Sequence, residues 1–194
     1  MYTIDKHKSI KMANIKQNRF LIIANTKEQI FYINDLARIW GINNHRNLAV
    51  TLSRYVAAGL IYRIHRGLYS LKKASELDPV ELGFKVIGDY SYLSGETVLA
   101  KHGVIFQRIN YFTFIGRKTK RFQIGANKYY CRQLKESCLY NNTGVIKNEK
   151  SFNEASLERA VADTLYFNSH YHFDNLTVID EVKLQRIQRS VYNN

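Results

Sequence analysis

The sequence predicts an α+β fold in two parts, and three observations lead there. Residues 30–71 run through a β-rich triplet, two helical stretches parted by Gly41, and two short strand-like runs around Gly67. That order is the layout of a winged helix-turn-helix. Beyond Lys72, capped helical stretches alternate with strand-like runs, as in a mixed α/β domain with a small sheet. Hydrophobic residues make up 45% of the 194, enough for packed cores in one ordinary domain or two small ones. The expected domains are a winged helix-turn-helix over residues 1–74 and an α+β domain over 75–194.

A first helix is predicted from about Ile10 to Asn25, with Ile15, Ile22 and Ile23 on its apolar face. Phe31-Tyr32-Ile33 reads as a short strand. Asn34 then serves as N-cap for a second helix, Asp35 to Trp40, with Asp35 favourable in its first turn. Gly41 supplies the C′ stop. Asn43 or Asn44 caps a third helix that runs to about Ala58, and Gly59 ends it. On that helix Leu48, Leu52, Tyr55 and Val56 form an apolar stripe that must be buried. Asn47, Thr51 and Arg54 share another face, flanked by Arg46 and Val50. Leu60 to Ile64 alternates as a strand, His65-Arg66-Gly67 turns, and Leu68 to Leu71 returns.

In the second part Asp78 caps a helix that Pro79 opens, with Val80, Phe84 and Ile87 on its apolar face. Ser94 is the expected cap of Gly95 to His102, which Gly103 closes. Tyr111 to Ile115 and Arg121 to Tyr130 alternate as strands around a basic turn, Gly116 to Lys120, and Thr143 to Ile146 is another strand. Ser151 with Glu154 reads as a capping box. It opens a helix with Leu157, Ala160, Val161, Thr164 and Leu165 on one face. A final helix of mixed polarity, Val178 to Tyr192, would frame a partner surface.

Charge directs the functional reading. The chain holds 29 Lys and Arg against 16 Asp and Glu, a formal net charge of +13. Two windows contain no carboxylate at all: Leu36 to Ser75, and Thr97 to Lys135. A merely solvated face normally mixes both signs, so these windows point to a phosphate polyanion. On the third helix, Arg46, Asn47, Thr51 and Arg54 are types that read base edges. Arg63, His65 and Arg66 on the hairpin suit the DNA backbone or minor groove. Arg117, Lys118, Lys120 and Arg121 would add phosphate contacts from the second domain. The expected partner is double-stranded DNA. A helical subdomain that packs on another protein, and a plain solvated turn at residues 117–121, are the blander readings.

Several segments resemble a known family. Leu52-Ser53-Arg54-Tyr55, Gly59 to Ile64 and Arg66-Gly67-Leu68-Tyr69 resemble the end of the N-terminal winged helix of AbiEi-type antitoxins, the transcriptional regulators of type IV toxin–antitoxin loci. Tyr92 to Val104 is similar to the Ser-x-x-(Ser/Ala)-Ala-Leu-x-x-His-Gly-Leu signature of that family's effector domain, with Thr97 and Val98 replacing small residues and Val104 replacing leucine. Leu157 to Leu165 is similar to its Pro-Glu-Arg-(Ala/Thr)-x-x-Asp motif, with Leu157 in place of proline. The resemblance touches residues 30–71, 90–104 and 154–166. It implies an autorepressor that binds an inverted-repeat operator as a homodimer. It also implies an antitoxin function in phage defence against a co-transcribed nucleotidyltransferase-like toxin.

Other chemistry finds little footing. No phosphate-cradling glycine loop, nucleophile elbow or His-Glu-x-x-His run occurs. His102 reads as a helix-end cap, with a general base as the alternative. Cys131, Cys138, His170 and His172 match no usual zinc spacing and read as two buried thiols with surface histidines. Asp89, Glu96, Glu158 and Asp163 could supply nuclease carboxylates. Glu158 and Asp163, however, fall off one helical face, and Glu158-Arg159 reads as a structural ion-pair motif. No catalytic residue, metal or cofactor is expected. The alternative function is a winged-helix nuclease or restriction-type enzyme, and a third is an RNA- or protein-binding module. A polar, basic start and the lack of any run near 18 apolar residues predict a cytoplasmic chain with neither signal peptide nor membrane span.

Overall fold

The computed structural model describes residues 19–192. It is a mixed α+β structure that divides into two compact units between Leu77 and Asp78.

In the first unit residues 19–24 are helical. Strand β1 (Ile30–Tyr32), helices α1 (Ile33–Trp40) and α2 (His45–Ala57), and strands β2 (Tyr62–His65) and β3 (Leu68–Ser70) follow. The sheet order is β1-β3-β2, antiparallel throughout. Helix α1 begins two residues before the expected Asp35. Asp35, now at its third position, accepts the Tyr32 N–H at 3.1 Å, so the cap acts from inside the helix and Asn34 is not the N-cap. At the other end Gly41 adopts φ 62°, while the Ile42 N–H reaches the Ala37 carbonyl at 2.9 Å. That pairing closes a Schellman stop that only a left-handed residue permits. Asn44 caps α2 by accepting the Asn47 N–H at 3.1 Å.

The core of this unit joins Ile23, Phe31, Leu36, Trp40, Leu48, Leu52, Tyr55, Ile61 and Tyr69. Two expected core residues lie outside it. Val56 is exposed, because a position eight residues after Leu48 has drifted about 80° round the helix from it. Ile22 is exposed while its neighbour Ile23 is fully buried. Ile15, with the rest of the predicted first helix before Arg19, lies outside the described residues.

The second unit holds helices α3 (Pro79–Ile87), α4 (Gly95–Lys101), α5 (Glu136–Leu139), α6 (Leu157–Phe167) and α7 (Glu181–Val191). Its strands are β4 (Ser91–Leu93), β5 (Tyr111–Gly116), β6 (Lys120–Ile124), β7 (Asn127–Gln133), β8 (Val145–Lys147) and β9 (Asn153–Ala155). They form one six-stranded sheet of order β6-β7-β5-β4-β9-β8, larger than the small sheet expected. The stretch Arg121 to Tyr130 is two strands, turned at Gly125 with φ 57°. Strand β7 lies between β5 and β6, parallel to the first and antiparallel to the second. Residues 117–119 are therefore a crossing over the end of β7 and not a hairpin turn. The Thr119 hydroxyl accepts the Gln133 N–H there at 3.3 Å.

Two expected caps do not act as caps. Ser151 sits at φ 63°, unlike the extended backbone of an N-cap, and Glu154 lies buried in β9. The helix starts one turn later, where Ser156 accepts the Arg159 N–H at 3.2 Å. Ser94 precedes α4 but its hydroxyl does not cap it. It donates instead to Asp163 at 2.6 Å. Helix α6 is buried almost all round, burying Arg159 and Asp163 along with the expected Leu157, Ala160, Val161 and Thr164, while Leu165 is only half-buried. Among the described residues, no helix is long and apolar enough to cross a membrane.

Candidate nucleic-acid interface

Helix α2 turns two different faces outward and inward. Leu48, Leu52 and Tyr55 anchor it in the core. At 3.6 residues per turn, Arg46, Val50, Arg54, Asn47 and Thr51 then fall in one sector of about 140° on the opposite side. Arg46, Asn47, Val50 and Arg54 are exposed and Thr51 is half-exposed. The Thr51 hydroxyl donates to the Asn47 carbonyl of its own helix at 2.8 Å. Its hydrogen-bonding capacity is thus partly taken, leaving the methyl group as the outward feature. Arg46 and Arg54 form no ion pair among the described residues.

The β2–β3 hairpin carries the other three predicted contacts of this unit, and Arg63, His65 and Arg66 are all exposed. The Gly67 carbonyl accepts the Ile33 N–H at 2.8 Å, which ties the hairpin turn to the start of α1. The register of β2 against β3 shifts between Arg63 and His65. Beside the N-terminus of α2, Arg19, Gly41, Asn44, Asn47 and Thr51 border a depression of about 380 Å³. Helix N-termini favour anions, and Arg19 adds a cation there.

The second basic window divides. Arg117 faces Glu136 at 3.3 Å. Lys118 is exposed at the crossing over β7. Lys120 points to the other side of the sheet, where its ammonium donates to the Ile87 carbonyl at 2.7 Å. The guanidinium of Arg121 lies 4.4 Å from the Tyr130 ring centre. Only Lys118 and Arg121 of the four stand open to a phosphate partner. Alternation along the strand is the reason: Lys120 and Arg121 are neighbours in sequence and opposites in direction. The same alternation puts Lys128, Tyr130 and Arg132 beside Arg121, and their i, i+2, i+4 spacing in β7 was the signal for them.

The remaining candidates are accounted for individually. Asp163 is fully buried and accepts from Tyr92 at 3.1 Å, from Ser94 at 2.6 Å, from the Arg159 Nε at 2.9 Å, and from Tyr192. Arg159 places all its donors: its two terminal nitrogens reach the carbonyls of Asn141, Thr143 and Cys138 and the Tyr92 hydroxyl at 2.8–3.0 Å. Burial lowers the basicity of Arg159, but Asp163, Tyr92 and Tyr192 outweigh it and hold the group more firmly protonated than usual. Burial first, and Asp163 second, push the Tyr92 and Tyr192 hydroxyls well above the ordinary tyrosine range. Arg159 thus pairs with Asp163, while Glu158 accepts from Ser156 at 3.2 Å. Glu96 accepts from Thr113 at 2.9 Å, and Asp89 is exposed.

Cys131 and Cys138 are both free and buried, and burial pushes the Cys131 thiol up to about 11. His170 and His172 are exposed. Among the described residues, no three His, Cys, Asp or Glu side chains gather as metal ligands. His102 is exposed at the end of α4 and borders a cleft of about 870 Å³. That cleft mixes both signs, and ion pairs of Lys101 with Glu154 and of Lys150 with Asp78 lie along it. Compared with known proteins, the chain matches no family model and no curated protein.

Proposed function

We propose that the chain is a sequence-specific DNA-binding transcriptional autorepressor. One observation carries the reading: the outward sector of α2 holds Arg46, Asn47, Thr51 and Arg54 without any carboxylate, next to a hairpin that holds Arg63, His65 and Arg66. The first unit is then a winged helix-turn-helix, with α2 as the recognition helix in the major groove and the β2–β3 hairpin as its wing. Arg46 and Arg54 suit guanine edges, Asn47 adenine, and the methyls of Thr51 and Val50 a thymine methyl. Arg63, His65 and Arg66 hold the backbone or minor groove, and Lys118 with Arg121 adds phosphate contacts. The test is binding to the DNA upstream of the chain's own gene. Arg54→Ala should weaken that site by roughly 1–3 kcal/mol more than random duplex, while Lys118→Ala should weaken both alike. Equal losses on both duplexes for both variants would overturn the assignment. A footprint over two half-sites checks for a homodimer on inverted repeats.

The regulator would act in the cytoplasm as the antitoxin of a type IV toxin–antitoxin, or abortive-infection, system, countering a nucleotidyltransferase-like toxin. The AbiEi resemblance of three segments supports this. Two of those segments supply the partners of one buried network, Tyr92 and Ser94 from the first and Arg159 and Asp163 from the second. Co-expression with the product of the adjacent reading frame should relieve growth arrest. Arrest that persists beside a well-expressed chain would sink the antitoxin reading.

A further inference from the structure

One face of the second unit's sheet carries a ladder of cations and rings of which the DNA reading uses only Arg121. Cross-strand registers set it out in rows. Gln123, Lys128 and Tyr111 form one row, and Arg121, Tyr130 and Thr113 form the next. Arg132 continues the face along β7. Its guanidinium lies 5.8 Å from the Tyr130 ring centre and 4.0 Å from that of Phe167, while Arg121 covers Tyr130 from the other strand at 4.4 Å. The opposite face is the aromatic core side, with Phe112, Phe122 and Tyr129 stacked on one another. Arg121 and Lys128 are exposed, and Tyr111, Tyr130 and Arg132 are half-exposed.

Cations predominate on this face where it meets solvent. Arg121, Lys128 and Arg132 form no ion pair among the described residues. Glu96, half-exposed beside this face, accepts from the Thr113 hydroxyl at 2.9 Å. An arginine laid flat over a ring has already lost much of its rotamer freedom, so a ligand that meets it meets a prepared plane. Such planes, like tyrosine rings, stack with bases whose faces are free. In a duplex those faces are stacked on one another, and the rings of a flat sheet have nothing to engage. We propose that this sheet face binds single-stranded nucleic acid, with phosphates on Arg121, Lys128 and Arg132 and unstacked bases against Tyr111, Tyr130 and the guanidinium planes. The site is independent of the recognition helix and stands whether or not that helix reads DNA.

The experiment uses the full chain and three labelled probes: an oligo(rU) and an oligo(dT) of about 12 nucleotides, and a random-sequence duplex, followed by fluorescence anisotropy at low salt. Both single strands should bind. Tyr130→Ala and Arg132→Ala should each weaken them about tenfold while changing duplex binding less than about twofold, and Tyr130→Phe should retain the affinity because the ring remains. Arg54→Ala should leave single-strand binding unchanged. If Tyr130→Ala perturbs the fold by circular dichroism, Lys128→Gln, at an exposed position of the same face, carries the same prediction. Tighter binding of oligo(rU) assigns RNA, and equal binding assigns the stacking chemistry both strands share. Failure of both strands to bind, or equal losses on single strand and duplex, would overturn the proposal.

Discussion

Four arginines of the first unit and one of the second lead opposite lives. In the first unit Arg46, Arg54, Arg63 and Arg66 are exposed and form no ion pair among the described residues. In the second, Arg159 is fully buried, with Asp163, Tyr92 and three backbone carbonyls around its guanidinium. The contrast separates two uses of one side chain. A buried guanidinium must have its donors matched or it destabilises the fold by several kcal/mol, so Arg159 fixes the arrangement of the groups around it. Exposed and unmatched guanidinium groups contribute little to stability and repel one another. Among the described residues no carboxylate pairs with them, which leaves them to solvent or a ligand.

Four experiments probe that contrast. Arg159→Ala strands Asp163 in the interior and should cost about 3–5 kcal/mol, read as a lower denaturant midpoint for the second unit. Arg159→Lys should recover only part, since an ammonium has three donors and no fork. Alkaline pH attacks the same network more gently. Unfolded tyrosines ionise near pH 10, whereas Tyr92 and Tyr192 stay protonated above it in the fold. Stability should therefore hold below pH 10 and fall above it, by up to about 1.4 kcal/mol per pH unit for each, and a tyrosinate absorbance titration should lose its late-ionising phase in part when Tyr92 or Tyr192 is replaced by phenylalanine. Arg54→Ala should leave the denaturant midpoint within about 0.5 kcal/mol of the parent. A large destabilisation there would erase the distinction between the two kinds of arginine.

An effect well below that of Arg159 belongs to a carboxylate between those extremes. Asp78 caps α3 through the N–H groups of Val80 and Glu81 at 2.8 and 3.0 Å. Burial raises its carboxyl, but Lys150 and those two N–H groups prevail and hold it below the usual aspartate range. Its contribution is present above the unfolded value near 3.8 and should be lost as pH falls through the lower folded value. Asp78→Ala should cost about 1 kcal/mol in thermal melts at neutral pH and much less in acid.

Local punctuation made much of this fold legible. Gly41, Asn44, Gly59, Asp78 and Pro79 act at or beside the helix ends that they mark. Where strand pairing intervened, local signals failed. Ser151 with Glu154 has the form of a capping box, and only the pairing of β9 with β4 and β8 removes Glu154 from a helix. Ser94 looks like a cap until Asp163, distant in sequence, claims its hydroxyl. The outward face of α2 could be read because it follows from periodicity. The splitting of Lys120 from Arg121 required knowing that residues 120–124 form a strand with both faces in use. The ladder of Arg121, Tyr130 and Arg132 required the strand order, which no local signal encodes.

That strand order also imposes a sequence of events in time. Strand β7 enters between two strands that precede it, so β5 and β6 cannot first zip together and then remain as they are. The nearest native pairing is β6 with β7, across the two-residue turn Gly125-Ala126 whose φ of 57° at glycine matches a type II′ bend. By loop-closure entropy that hairpin is expected to form first and then dock on β5 as a ready-made pair. Gly125→Ala should accordingly slow refolding while leaving the unfolding rate nearly unchanged in stopped-flow measurements.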